Sequence, residues 1–471
     1  MATSADHQIV TPPRSRALTL DGLRHDMARL FFNRGILGWG NAAWPGGEAK
    51  SLRGPIARLI PGDADRAIAM YANRFGRLSS ESLGQLGWLK HFSASGKALH
   101  ALYAIELIRK WWAGEQRSLK GMNAAKCLQA LTVDGFVFAQ KGPRPFAADY
   151  CRIITATTRK VYGWQAASPD DKLQRAIALS HALTSLNGFE AMRPRIRDAF
   201  DASLSQIVMP DGGHADGTPE SLLRLLLQLL PLRSAMQAVR EPIPSSLNGV
   251  IERMLPMLRM LQHRNGEIAH LRGSAPHLEA TALVLSQDDV HGQPLSLARQ
   301  SGFARMAEGR SLLIADTTPV TGFTMDISIG ETLVCESSHA NMPPFRKFTS
   351  ESPAELLNMD EGLLLMTSVQ MRGANQSRHI YMSADGNDIR IEDSADNMDR
   401  PFAVSITLKP GIACAFIDSD TAAYLTLPDG QTWKLSTRGA ALHKNGNGQD
   451  LYLSAAPDNG HCAITWAMQR R

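Results

Sequence analysis

One histidine stands in a sharp turn. The run Pro210-Asp211-Gly212-Gly213-His214 lies between two segments of helical spacing. Its glycines let the backbone reverse tightly and present the imidazole to a cleft. Loops held by rigid elements are where proton-transfer residues concentrate. A histidine that caps a helix or faces water would satisfy the same pattern. Cys335-Glu336-Ser337-Ser338-His339 sets a thiol and an imidazole four residues apart. That spacing alone is weak evidence for zinc, so His339 is the one candidate metal ligand. The five cysteines are scattered, with no Cys-x-x-Cys pair, which indicates neither a disulfide framework nor a structural zinc site. Glycine-rich nucleotide loops of Walker or dinucleotide type are absent.

These groups need elements to position them, and the pattern changes character near residue 270. Before it, helical spacing recurs over residues 91–112, 171–186, 194–208, 222–232 and 246–262. Asn187-Gly188 ends one of these helices in the usual way, and Pro256 predicts a kink in the last. A helix is also open to residues 275–288. After residue 299, short strands alternate with turns: Ala384-Asp385-Gly386-Asn387 and Pro428-Asp429-Gly430 each read as a hairpin loop. The expected organisation is an N-terminal extension with the first helices (1–80), a domain of antiparallel helix pairs (80–270), a linker (271–300) and an antiparallel β-sandwich (301–471).

Charge divides the same way. The first 300 residues carry 36 Lys and Arg against 25 Asp and Glu, or +11; the rest carry 14 against 20, or −6. A basic half predicts an anionic partner, although uneven surface scatter would give the same count. Nucleic acid is not expected, because the charge is modest and unclustered and no RRM, KH or helix-turn-helix signature appears. No apolar run is long enough to span a bilayer. No secretory signal is readable at the start of the sequence, and scattered cysteines suit a reducing compartment, so the expectation is cytoplasmic, with the periplasm as the alternative.

Three stretches in order, Gly87-Trp88-Leu89-Lys90-His91, Pro210 to His214 with Leu225 to Arg233 after it, and Tyr381 to Asp388, resemble the heparinase II/III family of polysaccharide lyases, its alphaproteobacterial branch most of all. The resemblance runs from about residue 80 to the end. It implies a helical (α/α) toroid followed by an antiparallel β-sandwich, and β-elimination on a uronic-acid polysaccharide. That chemistry needs a donor or cation to neutralise the uronate carboxylate, a base for the C5 proton and an acid for the leaving oxygen. The resemblance then implies His214, Asn187 and Arg193 as catalytic residues. Asp211, Arg195, Trp88, His91 and Trp164 become the substrate-binding set, the tryptophans by stacking on sugar faces. Each has a plainer reading: a helix stop for Asn187, solvent charges for the arginines, core or surface positions for the aromatic rings and His91. No cofactor is expected, with a divalent metal left open.

The sequence departs from the family in three places. Thr218-Pro219-Glu220-Ser221-Leu222 stands where the family has Ser-Pro-x-Tyr-His, so Ser221 takes the place of the tyrosine acid/base and Leu222 that of the histidine. A serine hydroxyl cannot replace a phenol as a proton shuttle. Gly188 stands where a histidine would follow the asparagine. Ser352 or Pro353 falls where the sandwich histidine should be. Two functions therefore stay in play: a lyase of acidic polysaccharide, or a catalytically degenerate polysaccharide-binding or exopolysaccharide-pathway protein on the same scaffold.

Overall fold

The computed structural model describes residues 116–133, 144–186, 190–238, 240–273, 278–286, 292–318, 323–340, 354–371, 374–397, 401–418, 421–445 and 449–471, with a few positions between 86 and 114. Seven α-helices are described: α1 (Gly121–Val133), α2 (Arg144–Tyr162), α3 (Pro169–Ser185), α4 (Arg193–Ile207), α5 (Pro219–Ala238), α6 (Ser245–Met260) and α7 (Leu278–Leu285). The contacts divide the chain into two compact units. The first holds the residues up to Ile207 together with Leu225–Ile251; the second holds Val208–Arg224 together with Glu252–Arg471. The loop that carries His214 thus clusters with the C-terminal part of the chain.

In the first unit α3 packs against α1, α2 and α4. Its start is written in the sequence. Ser168 caps it by accepting the Asp171 N–H at 3.1 Å, Pro169 opens the first turn, and Asp170 and Asp171 complement the helix dipole. Its residues from Ala176 to Ser185 are all buried, so it is a central helix rather than a surface one. His181 lies among them with neither ring nitrogen hydrogen-bonded. The leucine-rich helix α5 runs beyond the expected end at residue 232, through Pro231 to Ala238. Burial of Leu229, Leu230, Leu232, Ala235 and Met236 offsets the lost backbone bond.

The second unit contains two eight-stranded antiparallel sheets. The first has the order β1 (Leu297–Ala298), β2 (Phe303–Glu308), β3 (Ser311–Asp316), β4 (Met325–Ile329), β5 (Thr332–Ala340), β10 (Phe402–Leu408), β15 (Asp450–Ala455), β14 (Ala441–Asn445). The second has the order β11 (Ala413–Asp418), β12 (Ala422–Thr426), β13 (Thr432–Arg438), β16 (Cys462–Arg470), β9 (Asp388–Ala395), β8 (Ala374–Ser383), β7 (Gly362–Met371), β6 (Glu355–Met359). Both expected hairpins form, as β8–β9 and β12–β13. The alternation of Val404, Ile406 and Leu408 faces a core that also takes Ile327, Ile391 and Trp466.

Strand β4, like β3, departs from alternation, since all five of its residues are buried. Its outer face is covered by the chain just after α6. The His270 N–H donates to Asp326 Oδ2 at 2.6 Å, and His263 Nδ1 meets Ser328 Oγ at 2.9 Å. Arg305 on β2 completes this seam by donating to the carbonyls of Met260 and Gln262 at 3.0 and 2.6 Å. A cation at a helix C-terminus satisfies orphan carbonyls and the dipole together. Burial lowers the Arg305 guanidinium to about 10.

Burial also pushes the His181 imidazole down to about 4 from its ordinary value near 6.5. The unfolded chain then binds a proton that the folded chain refuses, so stability is full above about pH 6.5 and falls as the pH drops towards 4. The expected loss is about 3 kcal/mol at pH 4. His181→Leu should flatten the denaturant midpoint against pH over that window. An unchanged acid slope in the variant would show that His181 is not its source.

Candidate functional site

The His214 turn is held by close backbone approach. Gly212 has φ +91°, and a Cβ there would fall 2.1 Å from the Arg253 carbonyl oxygen. A Cβ on Gly213 would fall 1.8 Å from Ser301 Oγ. Both positions therefore exclude side chains. Asp211 fixes the turn from the other side: its Oδ2 accepts the Ser301 N–H at 2.8 Å and its Oδ1 accepts the Ser301 hydroxyl at 2.5 Å. Its carboxylate is committed to the loop's own architecture, not open to a substrate.

Arg272 closes the far end of the loop. Its guanidinium grips Asp316 with Nε and Nη2, both at 2.7 Å, and its Nη1 donates to the Gly217 carbonyl at 2.8 Å. Nη2 reaches the Ser301 carbonyl at 3.1 Å, and the group lies 4.3 Å above the Phe303 ring. Planarity, five donors and a stacking face make this possible for arginine and for no other side chain. Arg272 itself sits at φ +55°, a conformation that non-glycine residues rarely adopt. Sequence inspection gave no signal for it, because its partners lie 29 to 55 residues away.

Within the loop, His214 is buried, and its Nδ1 lies 2.9 Å from Asp216 Oδ1 and 3.2 Å from the Asp216 N–H. One ring nitrogen cannot donate and accept at once. Either tautomer keeps the ring held to Asp216 through Nδ1. Burial alone would raise the Asp216 carboxyl. The hydrogen bonds from His214, Ser221 and the Thr218 N–H outweigh it and hold Asp216 at about 2. A histidine oriented by a carboxylate can accept a proton, which is the base half of an elimination. Ser221, at the family's tyrosine position, donates its hydroxyl to Asp216 Oδ2 and lies 2.9 Å from Thr218 Oγ1. Leu222, at the family's histidine position, is buried.

The other expected catalytic and substrate-binding residues that are described belong to the first unit and have their own surroundings there. Arg193 opens α4, pairs with Glu241, and is separated from Ile207, where the loop begins, by the length of a 15-residue helix, roughly 22 Å. Arg195 is exposed on the same helix. Trp164 packs its indole over Gly121 at the start of α1. Asn187, Trp88 and His91 lie outside the described residues, as do Ser352 and Pro353.

His339 is enclosed between the sheets. Its Nε2 is 2.7 Å from Asp393 Oδ1, and its ring meets Phe323 and Phe402 edge-on at 5.3 and 4.9 Å. Burial pushes this imidazole down, so it stays neutral and donates Nε2–H. Asp393 also takes Arg378 Nε at 2.5 Å and Trp466 Nε1 at 3.0 Å. The thiol of Cys335 is pushed up to about 12 by burial. This donor set does not fit a divalent cation, and among the described residues no three His, Cys, Asp or Glu side chains gather as one would require.

Comparison with known proteins agrees with this architecture. Residues 358–457 match the family model described as Heparinase II/III-like, C-terminal. Nearly the whole chain superposes on a heparinase III gene product with a TM-score of 0.64 and 11% identity, covering 99% of this chain and 87% of that one. The fold is that of the heparinase II/III-like lyases. The heparan sulfate lyase HepC from Pedobacter heparinus is similar too, with a TM-score of 0.56 and 11% identity over 94% of this chain and 87% of that one. The helical toroid and sandwich that the sequence resemblance implied are therefore present. A curated relative, FtsZ-localized protein C from Caulobacter vibrioides, is 33% identical over 156 residues, which is 32% of this chain. The match spans 27% of that relative's length, about a quarter.

Arg272→Lys should lower the unfolding free energy by about 2–3 kcal/mol and the midpoint with it, because one ammonium cannot replace a fork that satisfies a buried carboxylate and two carbonyls. Protease cleavage within residues 209–221 should accelerate in parallel. A variant that keeps both the midpoint and the cleavage rate of the parent would remove Arg272 from this role.

Proposed function

We propose that this protein binds an acidic, uronate-containing polysaccharide on a lyase scaffold without cleaving it by the tyrosine-dependent elimination. The observation that carries this reading is the Ser221 hydroxyl, committed to Asp216 where the family resemblance would put the tyrosine. A hydroxyl so placed neither ionises near neutral pH nor reaches out to a glycosidic oxygen. The net charge of +11 over the first 300 residues supports an anionic glycan. Binding of that kind is screened by salt.

The His214–Asp216 pair favours a second reading, a lyase in which His214 takes the C5 proton and another group protonates the leaving oxygen. One experiment separates the two. Purified protein is mixed with uronate polymers and followed by the ultraviolet absorbance of unsaturated uronate, alongside glycan binding at low and high salt. Binding that weakens at least about tenfold from low to high salt, with no absorbance, is the expected result. An absorbing product that disappears in His214→Ala would replace the first reading with the second.

We place the protein in the cytoplasm. The described cysteines Cys335, Cys414 and Cys462 are free thiols, which suits a reducing compartment. The relative named for its localisation to FtsZ supports a site of action shared with that protein. A fluorescent fusion should gather where FtsZ gathers, and a fusion found in the periplasm would overturn this placement.

A further inference from the structure

The first unit holds a small cavity that the readings above leave unused. It measures about 150 Å³, and its walls include Ile196 and Phe200 of α4 and Met236 of α5. Arg193, Arg197 and Glu241 also line it. Arg193 gives one arm of its guanidinium to Glu241, whose side chain is 8% exposed. The Arg193 Nε is buried and has no hydrogen-bond partner. A desolvated donor without an acceptor is costly, so the Arg193 guanidinium keeps unspent hydrogen-bonding capacity at the cavity it lines. Arg197 lies one turn further along α4, is exposed, and makes no ion pair among the described residues. Two guanidiniums against one carboxylate leave the cavity with a net positive charge.

The backbone is strained to build this arrangement. Helix α5 ends with the Arg240 N–H on the Gln237 carbonyl at 3.1 Å and the Glu241 N–H on the Met236 carbonyl at 2.9 Å. That pattern places a left-handed residue at the turn, normally glycine. Here it is Arg240, at φ +54°. A stored strain of this kind persists where the surroundings demand it, and it is a pointer to function. In this case it turns Glu241 back onto Arg193 and brings Pro242 and Pro244 to the cavity wall.

We propose that the cavity binds a carboxylate with a branched or aromatic apolar body about the size of one leucine or phenylalanine side chain. The body fills the space between Ile196, Phe200 and Met236. The carboxylate pairs with Arg197 and with the part of the Arg193 guanidinium that lines the cavity, as a guanidinium matched to carboxylate oxygens does well. Glu241 holds Arg193 in place and disfavours a second negative charge on the ligand. The same chemistry can come from a free acid or from the last residue of a polypeptide.

Titration calorimetry on the full chain tests the proposal with four probes: 4-methylpentanoate, phenylacetate, the neutral 4-methylpentanamide, and N-acetyl-glycyl-leucine. The two acids should bind with dissociation constants near or below about 1 mM, as expected for ligands of this size. The amide should bind at least about tenfold more weakly, and Arg197→Gln should weaken the acids by about tenfold while leaving the thermal midpoint unchanged. Tighter binding of N-acetyl-glycyl-leucine than of 4-methylpentanoate supports a chain terminus as the source, and weaker binding supports the free acid. Equal binding of acid and amide would reduce the site to an apolar void and overturn the proposal. Absence of binding by both acids at about 20 mM would overturn it as well.

Discussion

The second unit depends on a single guanidinium. Arg272 must satisfy the buried carboxylate of Asp316, the carbonyl that ends the His214 loop and the carbonyl of Ser301, and it does all three from one planar group. Ser301 in turn supplies two of the hydrogen bonds that Asp211 takes, and the Gly213 N–H gives a third. The loop is therefore clamped at its start by Asp211 and at its end by Arg272, with both clamps meeting at the same short stretch before β2. His214 inherits its position from these two anchors rather than from the flanking helices. That the anchoring arginine adopts a left-handed backbone indicates how little freedom the arrangement leaves.

What could be read from the sequence was whatever has a short period or a local turn. Strand β10 alternates strictly, and the two Asp-Gly hairpins announce themselves within four residues, so both formed where expected. The start of helix α3 was marked by its own cap. Strand β4 was not fully legible, since Asp326 and Ser328 look solvent-facing by pattern and are buried by a segment some 60 residues earlier. The reach of α5 past Pro231 was hidden for a similar reason, because packing along its length outweighs the local penalty. Tertiary partners decide such cases, and no window on the sequence contains them.

The candidate site divides along the same line. The Asp-Gly-Gly-His turn was visible because glycine, glycine and a turn acid occur together. Asp216 was overlooked although it lies only two residues beyond His214. The signal that could have found it is the Asx pattern itself, in which the carboxylate bonds the Thr218 N–H two residues on. Asp211 and Arg193, both expected to meet substrate, each hold a partner within the protein. For each of them the deciding partner, Ser301 or Glu241, is distant in sequence. An exposed-looking charge in a family-like motif therefore says little until its counter-charge is known.

The serine at the shuttle position carries a consequence beyond the loss of a phenol. In an elimination the acid/base group must change protonation state within each turnover, so its neighbours have to tolerate both states. Ser221 is placed instead as a permanent donor to a carboxylate held near 2. That carboxylate also holds the His214 ring. The loop has thus turned a group that would cycle protons into one that keeps an imidazole oriented. A static Ser–Asp–His chain of this sort stiffens a binding surface, since every member is satisfied by the next and none has to open for the others to work. Such a chain is poorly suited to passing a proton at every cycle, because each member's state is held by its neighbour.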